Sequence, residues 1–153
     1  MSRDIKKTGD DSVRMDICFP VAPEEVWDAW TIPDLILQWF GSDPDGTGVK
    51  ADIDLRRGGS YEISFANSDR SVFTCFGKYT ELEKYRRLGF TWMWKNEPGV
   101  ESFVALQLSP EDGSTRMQFT HERLGWASSH DYEEGWRRTF LKLERVLVKW
   151  SSR

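Results

Sequence analysis

The sequence predicts an α+β fold, in which a curved, seven-stranded antiparallel sheet wraps around one long C-terminal helix and two short helices follow the first strand. Seven segments alternate between apolar and other residues and are separated by turn residues. One long segment of helical period follows them. The length of 153 residues suits one domain. Because the strands share one recurrent apolar face, we expect that face to be buried against the long helix.

The first strand is predicted over Ser12–Phe19, because its apolar residues alternate. A helix follows over Pro23–Trp30, with proline and two acidic residues in its first turn, where the helix dipole favours them. Thr31 is the predicted cap of a second short helix, which ends at Gly41. The apolar side of this second helix consists of Leu35, Ile36, Trp39 and Phe40.

Six further strands are predicted after a loop over residues 41–48, which is rich in glycine and aspartate. Turn residues separate them at the spacing of an antiparallel meander. Their predicted bounds are Val49–Leu55, Ser60–Ala66, Ser71–Leu82, Arg87–Lys95, Glu101–Ser109 and Ser114–Glu122. In the first of them, the residues expected on the core side are Val49, Ala51, Ile53 and Leu55.

The C-terminal segment changes from a period of two to a helical period. Its apolar residues are Tyr132, Trp136, Phe140, Leu143, Leu147 and Trp150. Ser128, followed by Asp131, is the predicted start of a helix that runs to Trp150. Gly135 lies inside this helix, where glycine costs about 1 kcal/mol relative to alanine. We therefore expect either the sheet or a bound molecule to approach the helix closely at Gly135.

Composition limits the classes of function. The net charge of -4 argues against a nucleic-acid-binding protein, which should carry a basic face. No run reaches the roughly 18 apolar residues of a membrane span, and residues 1–12 lack the apolar stretch of a secretory signal. Cys18 and Cys75 form no CxxC motif, so we predict a reduced cytoplasmic protein with buried thiols. Residues 1–11 are predicted to be a flexible tail, and residues 12–150 a single domain.

Residue motifs for catalysis are mostly missing. The sequence has no nucleophile elbow, phosphate-binding loop, dinucleotide fingerprint or HExxH motif. Since adjacent strand residues point to opposite faces, His121 and Glu122 are not a ligand pair, and we predict neither a metal site nor a cofactor. His121 itself faces the covered side of the sheet, as a candidate catalytic base or as a structural imidazole. Asp54 and Arg56 are predicted to form an exposed ion pair, and residues 133–145 a solvated helix face with salt bridges.

Aromatic residues make up 14% of the chain, although only 39% of it is hydrophobic. A few large rings therefore carry much of the apolar volume, and they either fill the core or line an internal pocket. A curved sheet around a helix leaves room for such a pocket. The residues expected to line it are Phe65, Phe73, Tyr79, Trp92, Trp94, Met117, Phe119, His121, Tyr132, Trp136 and Phe140. Among these, His121 and Tyr132 would supply the polar contacts.

Several short motifs occur in a recognisable order: Ala22-Pro23 to Trp27, Trp39-Phe40, Asp54 to Gly59, Leu88 to Trp92, and Gly135-Trp136. In order and spacing they resemble the SRPBCC superfamily of START-like, helix-grip proteins, and within it the family of homologues of the activator of heat-shock-protein-90 ATPase. The resemblance extends from about Ser12 to Trp150. It implies a sheet that grips the C-terminal helix with a hydrophobic cavity between them. The family often has a histidine three residues before the Gly-Trp pair, where this sequence has Tyr132.

The leading functional hypothesis is a non-enzymatic protein that binds a small, mostly hydrophobic molecule or a lipid in this cavity. The alternative is an enzyme resembling a cyclase, dehydratase or hydrolase, with His121 as its acid or base. A third hypothesis is a chaperone-regulating interaction module. Chaperone binding is doubtful, because the co-chaperone that names the family has an additional domain, which is missing here. The outer face of the sheet leaves room for a homodimer.

Overall fold

The structure is a computed structural model that describes residues 3–6, 12–97, 99–124 and 131–151. Within these residues the strands are β1 (Arg3–Lys6), β2 (Ser12–Phe19), β3 (Thr47–Ile53), β4 (Ser60–Ala66), β5 (Val72–Glu83), β6 (Arg87–Trp94), β7 (Ser102–Glu111) and β8 (Ser114–Glu122). The helices are α1 (Pro23–Thr31), α2 (Pro33–Ile36) and α3 (Tyr132–Ser151). This order of elements confirms the predicted α+β fold.

All the described strands belong to one antiparallel sheet with the order β1-β2-β8-β7-β6-β5-β4-β3. Strands β3 to β8 pair as a meander, and β2 pairs with β8. The predicted seven-stranded curved sheet around the C-terminal helix is therefore confirmed, and β1 adds an eighth strand at its edge. Strand β1 lies within the predicted tail, residues 1–11, whose other members lie outside the described residues.

Alternation along the strands places one face of the sheet in the core. The fully buried side chains on this face come mainly from the middle of the sheet and from α3: Ile17, Phe19, Leu88, Met117, Phe119, His121, Phe140, Leu143 and Leu147. Three of them lie on β8, opposite residues of β2 and β7 in register. The buried core therefore lies between the central strands and α3, as the phase of the strands predicted.

Strand β3 differs from the prediction. Its pairing with β4 shifts register between Gly48 and Lys50, and Val49 is 56% exposed instead of facing the core. The strand ends at Ile53, so Leu55 lies beyond it and is also exposed. Because β3 is the edge of the sheet, an irregularity there disturbs one neighbour only, and a uniform alternation of Val49 to Leu55 was the wrong interpretation.

The two short helices are joined by hydrogen bonds rather than by the predicted cap. Thr31 ends α1, and its hydroxyl donates to the carbonyl of Trp27 at 2.8 Å, so it does not cap α2. The first turn of α1 is closed by Glu25, which accepts a hydrogen bond from the backbone of Ala22 at 3.2 Å. After α2, the indole nitrogen of Trp39 donates to the carbonyl of Ala29 at 2.9 Å. This bond folds the end of the second helix back onto the first.

Helix α3 begins at Tyr132, and Asp131 caps it. The Asp131 carboxylate accepts a hydrogen bond from the backbone of Glu134 at 3.2 Å, and its carbonyl accepts one from Gly135 at 2.9 Å. The predicted start at Ser128 lies outside the described residues. Gly135 is thus in the first turn of the helix, close to the sheet end at which α3 starts.

The structure can also be compared with the predictions of buried thiols and of no membrane-spanning segment. Both cysteines are unpaired, and Cys75 is buried whereas Cys18 is only half-buried. Burial raises the pKa of the Cys75 thiol well above its usual range. Among the described residues, no helix combines the length and the apolar character that crossing a membrane requires.

Candidate functional site

A cavity of about 380 Å³ lies between the sheet and the first turns of α3. Strands β4, β5 and β6 supply one wall, α3 another, and the loop after α2 a third. Its described lining residues are Phe40, Gly41, Ser42, Phe65, Asn67, Phe73, Trp92, Trp94, Asp131, Tyr132, Glu134, Gly135, Trp136, Arg138 and Thr139. The volume lies within the range of pockets that hold small molecules, about 300–1,000 Å³.

Aromatic rings form the floor of the cavity. Trp92 and Trp94 meet edge to face, with ring centroids 5.1 Å apart and an interplanar angle of 88°. Trp136 lies 5.3 Å from Trp92, and Phe40 lies 6.0 Å from Trp136 at 86°. Perpendicular contacts of this kind hold large, rigid rings at fixed angles, so they leave space that small adjustments of the side chains do not close.

The polar atoms of the three tryptophans are directed away from this space. The indole nitrogen of Trp136 donates to Nδ1 of His121 at 2.9 Å, and that of Trp94 donates to the Tyr132 hydroxyl at 2.7 Å. The indole nitrogen of Trp92 is buried and has no hydrogen-bond partner among the described residues. The tryptophans therefore present carbon surface to the cavity.

His121 connects the floor to the centre of the sheet. Its Nδ1 accepts from Trp136, so its Nε2 carries the proton and donates to the Ser102 hydroxyl at 2.7 Å. Ser102 in turn donates to the Trp92 carbonyl at 3.3 Å. Burial in this apolar layer lowers the pKa of His121 to about 3. The imidazole is thus neutral, 0% exposed and occupied at both nitrogens by the protein itself.

Charged groups surround the mouth of the cavity on α3. Glu134 pairs with Arg137, and its Oε1 also accepts from Nε of Arg138 at 2.8 Å. These arginines lower the pKa of Glu134 to about 2, so its carboxylate is ionised at neutral pH. Salt bridges at helical spacing were predicted for this face, and they are confirmed. The predicted exposed pair of Asp54 and Arg56 is also present, at 2.8 Å.

The opposite side of the mouth is held by Asp43. Its Oδ1 accepts from the backbone of Asp45 at 2.9 Å, and its Oδ2 accepts from the backbone and hydroxyl of Ser68, each at 2.8 Å. The half-buried ammonium of Lys142 donates to the Asp43 carbonyl at 2.9 Å. The loop after α2, the β4–β5 turn and α3 are therefore bonded to one residue, which fixes the positions of neighbouring lining residues such as Ser42.

Gly135 adjoins open space. Among the described residues, a Cβ atom built on Gly135 would have no heavy atom within 4 Å outside the neighbouring backbone of its own helix. The sequence predicted that either the sheet or a bound molecule approaches Gly135. The described part of the sheet does not approach it closely, and Gly135 lines the cavity instead. Thr139, one turn later, also lines the cavity, and its hydroxyl donates to the Gly135 carbonyl at 2.7 Å.

The predicted pocket residues divide into three groups. Phe65, Phe73, Trp92, Trp94, Tyr132 and Trp136 line the cavity. The second group lies in the packed core behind Trp136 and does not line it: Met117, Phe119, His121 and Phe140. Tyr79 lines a separate void of about 10 Å³ beside Trp30 and Phe90, which has room for about one water molecule.

Other lining residues were not predicted. Phe40 follows α2, and Ser42 and Asn67 come from loops that are joined by the hydrogen bonds between Asp43 and Ser68. Glu134 and Arg138 were interpreted only as members of a solvated helix face. In the sequence, Gly135 pointed to this part of α3, as did the predicted pocket residues Tyr132 and Trp136. No cluster of potential metal ligands occurs among the described residues.

Comparison with known proteins identifies similar sequences and folds. The family model of the activator of Hsp90 ATPase homolog 1-like protein matches residues 20–148. The AHSA1 protein from Silicibacter pomeroyi is 26% identical, with a TM-score of 0.74 over 90% of this chain and 97% of that chain. The AHSA1-like protein from Aeromonas hydrophila is 25% identical, with a TM-score of 0.73 over 91% and 94% of the two chains.

A protein from Nitrosomonas europaea has the same fold at lower identity. It is 21% identical to this chain, with a TM-score of 0.81 over 96% of this chain and 100% of that chain. No curated protein matches the chain significantly. The similarity to solved structures therefore extends over nearly the whole length of the domain.

The neutral state of His121 predicts how stability depends on pH. The unfolded chain binds a proton at this residue below about pH 6.5, whereas the folded protein resists protonation down to about pH 3. The stability contributed by neutral His121 is complete above pH 6.5 and falls on acidification by up to about 1.4 kcal/mol per pH unit. Urea unfolding at pH 7, 6 and 5 should show this slope in the wild type and a shallower one in His121→Gln. Equal slopes in the two proteins would contradict the assignment.

Gly135 and Gly77 predict opposite effects of the same substitution. Gly135→Ala places a methyl group in open space and improves helix propensity, so we expect stability to increase by about 0.5–1 kcal/mol. Gly77→Ala is the matched control, because its Cβ would lie 2.1 Å from the Thr91 carbonyl oxygen and must destabilise the sheet. Thermal and urea unfolding of both variants test the pair. A destabilised Gly135→Ala protein would show that the space beside α3 is not open.

Proposed function

The chain belongs to the activator of Hsp90 ATPase homolog 1-like family, and on that premise we propose that it binds a small, mostly hydrophobic ligand between the sheet and α3 without transforming it. The observation that carries this proposal is the cavity of about 380 Å³ with an aromatic floor. An apolar floor combined with a few polar groups at the mouth is the usual composition of small-molecule sites.

The volume suits a molecule with more than one ring. An apolar cavity of about 150 Å³ holds benzene, so a space of about 380 Å³ accommodates a ligand of two or three fused six-membered rings or a branched chain of similar bulk. The proposed contacts are the lining residues predicted from the sequence, together with Phe40, Gly135 and Thr139. Phe119, His121 and Phe140 act indirectly, because each contacts Trp136, and Met117 lies in the buried core.

The same geometry favours binding over catalysis. An enzyme in this cavity would need an acid or base that touches the ligand. His121, the candidate from the sequence, is separated from the cavity by Trp136 and has both nitrogens engaged. Glu134 does line the cavity, but its two arginine partners lower its pKa to about 2, which leaves it unsuited to proton transfer near neutral pH. A chaperone partner, a homodimer and a cytoplasmic location stay predictions from the sequence.

A larger side chain on α3 that fills the cavity should weaken ligand binding, although it removes no side chain that contacts the ligand. Gly135→Leu extends an apolar side chain into the open space beside the helix, so we expect at least a tenfold loss of affinity for 6-propionyl-2-(dimethylamino)naphthalene, a neutral two-ring fluorescent probe. Binding is measured by the blue shift and intensity of probe emission. Arg145→Leu is the control, because it adds the same side chain at an exposed position of the same helix.

The control separates the cavity from nonspecific hydrophobic attachment. Saturable one-to-one binding that survives in Arg145→Leu and disappears in Gly135→Leu supports the proposal. Equal binding by Gly135→Leu would place the probe elsewhere and contradict it. Native mass spectrometry of the purified protein, followed by extraction and identification of any released molecule, gives an independent measurement of occupancy.

A further inference from the structure

Aromatic residues are the largest group among the described residues that line the cavity. Seven of its described lining residues are aromatic: Phe40, Phe65, Phe73, Trp92, Trp94, Tyr132 and Trp136. The face of such a ring carries a negative electrostatic potential, which attracts a cation and repels an anion. Several of these rings lie at large angles to one another, including Phe65 and Trp94 at 68° and Trp92 and Trp94 at 88°. Rings at such angles present aromatic surface to a ligand in more than one orientation.

Indole N–H groups, which would favour a negative ligand, do not oppose this potential. Those of Trp94 and Trp136 donate to Tyr132 and His121, and that of Trp92 is buried. A ligand anion in the cavity would therefore face ring carbon in place of indole donors. This arrangement distinguishes the floor from a polar pocket with the same residue composition.

The basic group at the mouth of the cavity is already paired with a carboxylate. Arg138 is the basic residue among the described lining residues, and its Nε already donates to Glu134 at 2.8 Å. Arg137 pairs with the same carboxylate. Asp131, also at the mouth, adds a second negative charge, so two carboxylates balance the two guanidinium groups. An anionic head group at Arg138 would compete with Glu134 for this guanidinium and would also approach the carboxylates of Glu134 and Asp131.

We propose that the cavity is an aromatic cage for a lipophilic organic cation, a quaternary ammonium or protonated amine compound with a hydrophobic body. This inference rests on the proposed binding function and specifies its ligand class. Cation–π attraction increases when the ion is removed from water, and contact with aromatic rings in a cavity removes part of its hydration. Fatty acids and other anionic amphiphiles are correspondingly unfavourable ligands.

Three probes of nearly equal shape test the sign of the charge. They are 4-(trimethylammonio)benzyl alcohol, its neutral isostere 4-tert-butylbenzyl alcohol, and the anion 4-tert-butylbenzoate. Isothermal titration calorimetry with the full chain should give the tightest binding for the cation, by roughly five- to thirtyfold over the neutral isostere, and the weakest for the anion.

A matched pair of variants tests whether the preference for the cation arises in this cavity. Phe73 lines the cavity and is half-buried, whereas Phe76 is on the same strand but does not line it. Phe73→Leu keeps apolar volume and removes a ring, so it should weaken binding of the cation several-fold and leave that of the neutral isostere almost unchanged. Phe76→Leu should change neither affinity.

The possible outcomes test the cationic ligand class, ligand binding itself and the location of the site separately. Equal or tighter binding of the neutral isostere or the anion overturns the cationic class but leaves ligand binding intact. No binding of any probe at millimolar concentration overturns both proposals. A cation preference that Phe73→Leu leaves unchanged, or that Phe76→Leu reduces equally, overturns the assignment to this cavity.

Discussion

The hydrogen bond from Trp136 to His121 is the constraint on which the rest of the structure depends. It attaches the first turns of α3 to β8, and through Ser102 and the Trp92 carbonyl it continues to β7 and β6. These groups are buried, so breaking one bond would leave an unsatisfied polar partner in an apolar layer, at a cost of about 1–3 kcal/mol. Three adjacent strands and the helix are thereby held in one relative position.

The cavity follows from that fixed position. With Trp136 held against His121, its ring meets Trp92 and Phe40 at angles that leave a gap towards Gly135. The far wall is fixed independently, because Asp43 bonds the loop after α2 to the β4–β5 turn and Lys142 bonds the same residue to α3. Hydrogen bonds therefore hold both sides of the cavity in position.

Local patterns in the sequence predicted the elements well but not the contacts between them. Alternation gave the bounds of β2, β4 and β8, and it placed His121 correctly on the core side. It was wrong for Val49, because the register shift at the edge of the sheet does not change the spacing of apolar residues in the sequence. The partners of His121 lie 19 and 15 residues away, on β7 and α3, so their identity depends on topology. Asn67 and Ser42 reach the cavity for the same reason, through hydrogen bonds formed by their neighbours.

Gly135 links the stability of the helix to the presence of the cavity. Glycine costs a helix about 1 kcal/mol relative to alanine, and a methyl group at this position would meet no other part of the chain that the structure describes. Packing within the protein therefore gives no reason for glycine, because the more stable residue fits the free structure. A ligand that occupies the space beside Gly135 does give a reason, since it would contact the backbone where a side chain would otherwise stand. Departures from local preference of this kind are characteristic of functional sites, and here the departure lies at the cavity rather than in the core.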